Sequence, residues 1–265
     1  MIELLRNKMR VVELGARSLG GLEGNVAIPS QTGTVTTYWL AEGATITTSN
    51  PTVGQLALTP HRLGAMCDLS FQLIAQSSID VENFVRTDIM TALALARDKA
   101  ALVGTGTGGE PLGILNTSNL ATPVTLANAG TMTYAEAVRF ETNVANNNAD
   151  EGSLGYLSTP TVKGGTKVTA MFANTGFPVW GLDNTVNSYK ARTTLQHTTT
   201  HGGTALTAGT VIFGNWADLI LADWAGLMIT VDPYTRAPQG ELRIVMQMLC
   251  DNGIRHSKSF SISSN

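Results

Sequence analysis

Charged residues are scarce in this sequence. They make up 14% of the 265 residues, against a share of about 25% in typical soluble domains. Intrinsic disorder requires high charge and low hydrophobicity, so the 43% of hydrophobic residues excludes that class. The 17 basic residues do not exceed the 20 acidic ones, which argues against a protein that grips nucleic acid tightly. Such a low content of charged residues favours a chain that buries part of its surface against copies of itself.

Cysteines and long apolar runs are also few. Cys67 and Cys250 lie far apart and form neither a disulfide framework nor a CxxC metal pair, which favours two buried, reduced thiols. Apolar runs such as 92–96 are far shorter than the roughly 20 residues of a membrane span. The first residues lack the apolar stretch of a signal peptide. The sequence therefore predicts no membrane partner.

Motifs for catalysis, cofactors and metals are absent or incomplete. The glycine-rich stretch 104–109 follows a predicted helix and has no lysine, so a structural turn is favoured over a phosphate-binding loop. His197 and His201 stand at i and i+4, but threonines separate them and no third ligand is near. No GxSxG nucleophile motif occurs. We therefore expect no enzymatic activity, no cofactor and no metal ion.

Residues 1–30 predict a short amphipathic piece followed by a loose arm. Apolar residues recur at helical spacing at Ile2, Leu5, Met9 and Val12. Glycines then follow in quick succession, and no lysine or arginine occurs over 18–60. An arm of this composition does not fold alone, so it either frays or lies on another surface.

The next segment has the composition of β-strands. The stretch 33–41 is rich in threonine, valine and aromatic residues, 42–44 suits a turn, and 45–48 resumes the β composition. Apolar residues alternate along 55–59 and 63–70. An isolated β ribbon is only marginally stable, and its unpaired edges invite another chain. The sequence therefore predicts a β arm whose partner is a neighbouring molecule.

The clearest helix is predicted over 80–103. Asp80 suits the N-cap, and Glu82 lies in the first turn, where negative charge is favoured. Gly104 is expected to end the helix. One apolar stripe runs along it at spacings of three and four, formed by Val85, Ile89, Leu93, Ala96, Ala100 and Val103.

Shorter elements are predicted beyond residue 120. Thr133 and Glu136 match a capping box that opens a helix to about residue 143. Thr159 and Pro160 suit the N-cap and the first position of another helix. The threonine- and glycine-rich stretch 193–209 favours an exposed loop. Strands are predicted over 211–213, 219–222, 227–231 and 240–250.

The order of these segments resembles the major capsid proteins of tailed double-stranded DNA bacteriophages, which have the Hong Kong-97-type fold. The most specific stretch is 80–116, the long helix and the turn after it, where the family usually has a GxG…PxGIL pattern. Upstream, 28–29, 39–43 and 58–60 are similar to the family's extended loop, a β-hairpin that reaches over the adjacent subunit. The residues that match the turn are Gly104, Gly106, Gly109, Pro111 and Gly113.

The resemblance implies an α+β fold with an N-terminal arm, an extended β-hairpin loop, a peripheral domain with a long spine helix, and an axial domain. The expected bounds are 1–30 for the arm, 31–65 for the extended loop, 66–120 for the peripheral domain with its spine helix 80–103, 121–231 for the axial domain, and 232–265 for the return strands of the peripheral domain. Contact with a neighbouring subunit is expected at Tyr38, Trp39, Leu40 and Glu42. An inward-facing basic cluster is expected at Arg6, Lys8, Arg10 and Arg17.

The function that the resemblance implies is structural. Copies of the chain would assemble through hexamers and pentamers into the icosahedral capsid of a virion, inside the cytoplasm of a bacterial host. Expected partners are a portal, a scaffold or protease, decoration proteins, and packaged double-stranded DNA that is bound weakly and non-specifically. Many family members begin with a scaffolding segment that a protease removes. None is visible here, so we expect either the processed form or a branch with a separate scaffold.

The sequence leaves open three alternatives to a phage capsid protein. An encapsulin, the shell protein of a bacterial nanocompartment, has the same fold and would carry a cargo-docking groove. A secreted β-rich binding module would suit the threonine and asparagine content, although the long helix and the missing signal peptide argue against it. A hydrolase would need a reactive residue that the sequence does not offer.

Overall fold

The computed structural model describes residues 6–76, 81–128, 130–172, 176–196, 199–201, 204–206 and 209–264. The α-helices in these ranges are α1 (Val11–Leu14), α2 (Phe71–Gln76), α3 (Val81–Val103), α4 (Tyr134–Ala145) and α5 (Pro160–Val168). The strands are β1 (Arg17–Leu19), β2 (Val26–Gly33), β3 (Thr52–Leu58), β4 (His61–Ser70), β5 (Val124–Thr125), β6 (Leu154–Ser158), β7 (Thr185–Val186), β8 (Tyr189–Thr193), β9 (Thr199–His201), β10 (Thr204–Leu206), β11 (Val211–Asn215), β12 (Leu219–Asp232), β13 (Glu241–Ile254) and β14 (Phe260–Ser264).

A four-stranded sheet and the long helix α3 form one part of the subunit. The strand order is β1-β12-β13-β4, with β1 parallel to β12 and the other pairs antiparallel. Apolar residues of β4 and β13 alternate toward α3, so one face of these two strands is buried under the helix. The buried residues at this contact are Leu69, Val81, Ile89, Leu93, Ile244 and Met246.

A six-stranded sheet forms the other part, in the order β5-β14-β11-β6-β8-β7. Helix α4 covers one face, where Phe140 packs against Tyr156 with the two ring planes perpendicular. The opposite face packs on α1 and on the C-terminal end of α3 around Trp216, which is fully buried. Alternate residues of β6 and β11 point into these two apolar layers, so the sheet is buried on both sides.

The predicted long helix is confirmed, with Val81–Val103 as its observed bounds. Asp80, its predicted N-cap, lies outside the described residues. The helix ends as expected before Gly104, whose backbone N–H still bonds to the carbonyl of Ala100 at 2.9 Å. The side-chain amide of Asn116 then donates to the carbonyls of Val103 and Gly104, at 2.7 and 3.0 Å. These bonds satisfy carbonyl groups that a helix end leaves without partners.

Both predicted helix starts in the second half of the chain are confirmed. The Thr133 hydroxyl accepts from the backbone N–H of Glu136, and the Glu136 carboxylate accepts from the backbone N–H of Thr133, which completes the capping box. Thr159 caps α5 by accepting from the N–H of Val162, and Pro160 occupies the first turn. Helix α4 continues to Ala145, slightly beyond its predicted end.

The predicted strands over 33–41 and 45–48 are wrong. The hairpin strands are β2 and β3, which pair from Val26 with Leu58 up to Gly33 with Thr52, and no strand is described over 34–51. The stretch 34–41 has a strong β composition, but propensity forms a strand only where a pairing partner exists. No such partner is present among the described residues of the same chain.

Three further expectations for the second half of the chain need correction. Strand β12 runs continuously through the gap between 219–222 and 227–231, with register shifts around Ala225. The stretch 193–209, predicted as a loop, contains β9 and β10 as a short antiparallel hairpin. The expected division at residue 231 does not separate the sheets, because β12 pairs with β13 while the C-terminal strand β14 joins the six-stranded sheet.

Candidate assembly surface

The tip of the hairpin of β2 and β3, residues 34–51, is exposed at every position except Ser49. Tyr38, Trp39, Leu40 and Glu42 all lie in the tip over 34–51, and all four are exposed. Trp39 is fully exposed, which is rare for so large an apolar side chain. The tip is closed mainly by local bonds, such as the one from the N–H of Thr36 to the Ser49 hydroxyl at 3.0 Å.

The base of the hairpin, in contrast, is fixed to the subunit. Leu58 is buried against Ile220 and Ala222 of β12. The backbone N–H of Thr59 donates to the carboxylate of Asp251 at 2.8 Å. A fixed base with a projecting apolar tip is the arrangement expected of an element that contacts another molecule.

The N-terminal arm lies on the body of its own subunit rather than fraying over the described residues. Val11 and Leu14 are buried in the layer around Trp216, and β1 pairs with β12. The hydroxyl of Ser153 donates to the carbonyl of Leu14 at 2.6 Å. Ile2, where the predicted helical spacing begins, lies outside the described residues.

Asp98 on α3 anchors this arm. Its Oδ1 accepts from the backbone N–H groups of Arg10 and Val11, at 3.1 and 3.0 Å. The residue is 1% exposed, and its Oδ2 is buried without a hydrogen-bond partner in the described part of the chain. Burial therefore raises the pKa of Asp98, although the two N–H groups and the Arg10 guanidinium act in the opposite direction.

Replacing Asp98 should show how much its bonds to the N-terminal arm contribute to the free energy of unfolding. Asp98→Ala leaves the buried N–H of Val11 and the partly buried N–H of Arg10 without this acceptor, so we expect a loss of about 2 kcal/mol in the free energy of unfolding. Asp98→Asn keeps an acceptor oxygen and should cost less. Denaturant unfolding of the wild type and both variants, at equal chain concentration, measures the difference.

The stability of the wild type relative to Asp98→Asn should also change with pH in a defined direction. Because the pKa of Asp98 is raised in the folded state, the folded chain binds more protons at this carboxyl than the unfolded chain does at pH values between the two pKa values. The resulting stabilisation is complete below the unfolded pKa of about 3.9 and is lost as pH rises through the folded pKa. Relative to the wild type, Asp98→Asn should therefore gain stability from acidic to neutral pH. An unchanged difference across this range would contradict the assignment.

The four residues of the expected basic cluster differ in their surroundings. Arg6 forms an ion pair with Asp88 at 2.6 Å. Arg10 forms one with Glu13, which also binds Arg192. Lys8 and Arg17 are exposed. Carboxylates thus offset two of the four positive charges, which reduces the attraction of this arm for a polyanion.

The glycine-rich stretch after α3 is a compact turn, as its composition predicts. Gly106 and Gly109 have positive φ angles of 69° and 85°, which favour glycine. The N–H of Gly113 bonds to the carbonyl of Gly104 at 2.9 Å and closes the turn. Pro111 lies close to Gly104, since a Cβ atom at Gly104 would come within 2.1 Å of the Pro111 carbonyl oxygen.

Gly113→Ala should destabilise the subunit. The added Cβ would lie 2.5 Å from the backbone nitrogen of Gly104 and 2.7 Å from that of Val103, and backbone atoms cannot move aside cheaply. We expect a loss of about 1–3 kcal/mol in the free energy of unfolding. Gly164→Ala in α5 is the matched control, because no atom lies within 4 Å of its added Cβ. Equal unfolding midpoints for the two variants would contradict the close packing of the turn.

The side chains that could bind a metal ion are not clustered in the described ranges. No group of three or more His, Cys, Asp or Glu side chains there is arranged to hold a metal ion. His197 lies outside those ranges, as do the side-chain surroundings of His201. Burial raises the pKa of the Cys250 thiol, which disfavours the reactive thiolate. No helix among the described residues is long and apolar enough to cross a bilayer.

Two features of this surface cannot be predicted from the sequence. Asp98 stands among apolar residues of a helix, and only the fold places the N–H groups of Arg10 and Val11 opposite it. The sequence predicts a strand over 227–231, but it does not indicate that Leu227, Met228, Ile229 and Val231 are exposed. Its periodicity gives no information about whether both edges of that strand are paired.

Known proteins resemble this chain both in sequence and in structure. A sequence profile of the phage capsid family matches residues 1–264. The major capsid protein of Halomonas phage phiHAP-1 is 31% identical over 261 residues, which are 98% of this chain and 41% of that protein. The major capsid protein of Klebsiella oxytoca phage phiKO2 is 35% identical over 114 residues, or 43% of this chain and 27% of that protein. The chain thus spans less than half the length of these two relatives.

Among solved structures, the capsid of a native GTA particle superimposes with a TM-score of 0.82. The match covers 99% of this chain and 92% of the GTA chain, at 16% sequence identity. At this identity the similarity concerns the fold, and it extends over both sheets, α3 and the hairpin.

Proposed function

Because the chain belongs to the phage capsid family and has the Hong Kong-97-type fold, we propose that it is a major capsid protein. Copies of it assemble into an icosahedral shell that encloses phage double-stranded DNA. The observation that carries the proposal is the hairpin, whose base is buried against β12 while its tip exposes Tyr38, Trp39 and Leu40. Nothing in the part of the same subunit that the structure describes covers this tip.

Closed symmetry is the physical reason for a shell. Each copy offers an exposed tip and must receive the tip of another copy, so the contacts are heterologous. Heterologous contacts are satisfied in every copy only when they close into rings, and rings of five and six close into a shell. In this account the tip residues Tyr38, Trp39, Leu40 and Glu42 contact the adjacent subunit within pentamers and hexamers.

The parts of the subunit take the roles expected of the family. Residues 1–30 act as the N-terminal arm and 31–65 as the extended loop. The peripheral domain contains the spine helix α3, and the axial domain contains α4 and most of the six-stranded sheet. The glycine turn fixes the end of the spine helix to the return strands, where the Asn252 amide donates to the carbonyl of Leu112.

The proposed partners follow from this function. The chain binds itself first, then a portal, a scaffold or protease, and decoration proteins during assembly in the bacterial cytoplasm. We assign it no enzymatic role, no cofactor and no metal, in line with a structural family. The encapsulin alternative is not favoured, because the relatives named above are phage capsid proteins.

The state of association tests the proposal directly. Purified native protein should sediment at megadalton mass, although one chain has a mass of 28.0 kDa. Sedimentation velocity over a wide range of concentration measures this. Material that remains monomeric or dimeric throughout would overturn the proposal.

Free subunits should bind duplex DNA only weakly. The net charge is −3, and acidic partners offset Arg6 and Arg10, so few counterions are released on binding. At physiological salt we expect a dissociation constant no tighter than about 10⁻⁶ M, typical of non-specific binding. A gel-shift assay measures this dissociation constant. The double variant Lys8→Gln, Arg17→Gln should weaken the DNA binding that remains. Tight, sequence-specific complexes would contradict this expectation.

A further inference from the structure

Six basic residues from three elements lie close together beside the N-terminal arm. They belong to the arm before α1, to strand β8 and to helix α5. Lys8, Lys167 and Lys190 are exposed, and the other three are half-buried. We call the six residues the basic patch: Lys8, Arg10, Lys163, Lys167, Lys190 and Arg192.

Glu13 joins the arm to β8 within this patch. Its carboxylate forms ion pairs with both Arg10 and Arg192, so two guanidinium groups share one negative charge. Lys190 is two residues before Arg192 on the same strand, so both side chains lie on the same face of the sheet. That face is the one that α1 covers, because Leu157, the strand neighbour of Arg192, is buried in the same apolar cluster as α1.

Helix α5 adjoins the same strand. The Lys163 ammonium donates to the side-chain carbonyl of Asn184 at 2.7 Å. The backbone carbonyl of Asn184 in turn accepts from the N–H of Ala191, at the centre of β8, at 2.9 Å. Lys167 lies one helical turn after Lys163, on the same face of α5. The cations of α5 therefore lie beside those of β8.

The cations of the patch are close enough to repel one another. Burial lowers the pKa of Lys163, and the charges of Lys167, Arg10 and Arg192 lower it further. A ligand that carries several negative charges would offset this repulsion.

Few carboxylates offset the patch. Glu13 is the only acidic residue that forms an ion pair with it among the described residues, and Asp183 adjoins Asn184 without forming one there. Six cations less these two carboxylates leave a local excess of about four positive charges, in a chain whose net charge is −3. The patch therefore has the opposite sign to the chain as a whole.

We propose that the basic patch binds the phosphate backbone of nucleic acid and contacts the packaged DNA in the shell. This inference rests on the proposed shell function for the source of the DNA, and it adds β8 and α5 to the contact expected of the arm. Four of the six residues are lysines, whose flexible ammonium groups suit a row of phosphates and read no base sequence.

An acidic protein is a less suitable partner for this patch. Arginine matches a carboxylate best, because its guanidinium group binds it through two parallel hydrogen bonds. Both arginines of the patch already bind Glu13 of their own chain. The groups that remain without an ion pair in the described residues are the lysines, which favours phosphate as the ligand.

The salt dependence of duplex binding tests the patch. Each phosphate contact adds about −0.9 to the slope of log K against log salt concentration, so four contacts predict a slope of about −3.6 for the full chain. Fluorescence anisotropy of a labelled duplex measures this slope. The variant Lys167→Gln, Lys190→Gln removes two exposed contacts, and we expect a slope of about −1.8 and an affinity at least about tenfold lower at physiological salt.

Two further variants control for net charge and for folding. Arg62→Gln, Lys258→Gln removes two positive charges from exposed residues of β4 and of the turn after β13, and its slope should stay within about 0.5 of the wild-type slope. Lys167→Arg, Lys190→Arg keeps both charges in the patch and should retain the wild-type slope. All four sites are exposed, so the unfolding midpoints of the three variants should equal that of the wild type.

The outcomes separate this inference from the proposed function. Equal slopes for the two glutamine variants would overturn the inference and leave the shell function intact, as would the absence of duplex binding at low salt. If Lys167→Gln, Lys190→Gln weakens the binding of polyglutamate but not that of the duplex, the patch belongs to an acidic protein and the inference is also overturned. If the slopes change as expected but the wild-type chain forms no shell, the proposed function fails and the nucleic-acid site stands.

Discussion

Deleting residues 42–51 from the hairpin is expected to yield a folded subunit that no longer forms shells. The deletion leaves β2 and β3 intact, and it removes none of the residues buried under α3, under α4 or around Trp216. Regions with few buried contacts add little to global stability. The tip is such a region, because its residues Val35, Trp39, Leu40 and Ile46 are exposed.

The expected size of the effect is a loss of nearly all assembled material with an unfolding midpoint close to that of the wild type. Sedimentation measures the first quantity and denaturant unfolding the second. Replacing residues 34–51 by a glycine-serine linker of equal length is the matched control for length, and it should also fail to assemble because it removes the exposed side chains of Tyr38, Trp39 and Leu40. A deletion that unfolds the subunit would place the tip in the core and refute this account of the hairpin.

Trp216→Ala is expected to have the largest effect on stability. The side chain is fully buried between the two sheets, and its ring meets that of Phe260 edge to face at 5.5 Å between centroids. Its indole N–H donates to the carbonyl of Gly155 at 3.0 Å, so truncation also leaves a buried acceptor without its donor. We expect a loss of about 3–5 kcal/mol in the free energy of unfolding.

Trp39→Ala is the control for this variant, since it removes the same side chain from an exposed site. Its effect on the unfolding free energy should stay within about 0.5 kcal/mol, while its effect on assembly should be large. Chemical denaturation of both variants gives the first comparison and particle yield the second. If Trp216→Ala unfolds at the same denaturant concentration as Trp39→Ala, the layer between the sheets is not the core of the subunit.

Local signals in the sequence were sufficient for elements that depend on near neighbours. Helix α3 follows from an apolar stripe that includes Ile89 and Leu93, and α4 follows from the capping pair Thr133 and Glu136, which bond within one turn. The turn after α3 likewise follows from glycines at positions with positive φ.

Pairing between distant segments could not be predicted in the same way. The stretch 34–41 has a better strand composition than 26–33, which contains Pro29, yet 26–33 is the part that finds a partner in β3. A β-strand depends on which other segment lies beside it, and composition does not carry that information. The placement of β14 in the six-stranded sheet is another result of this kind.

The same distinction between local signals and distant pairing applies to the candidate assembly surface. The exposed tip with Trp39 could be predicted, because few charges and no internal partner indicate a contact with another molecule. The exposure of 227–231 on β12 could not, since its sequence is typical of a buried strand and only the short length of β1 leaves that edge uncovered. Asp98 was missed because its partners are backbone groups of a remote segment.

Electron microscopy of the purified native protein, in negative stain, tests the central claim most directly. The account predicts closed angular shells, built from subunits that lose this ability when residues 42–51 are deleted. Small round cages would support the encapsulin alternative, and a field without particles at every concentration would contradict the claim that this chain forms a capsid.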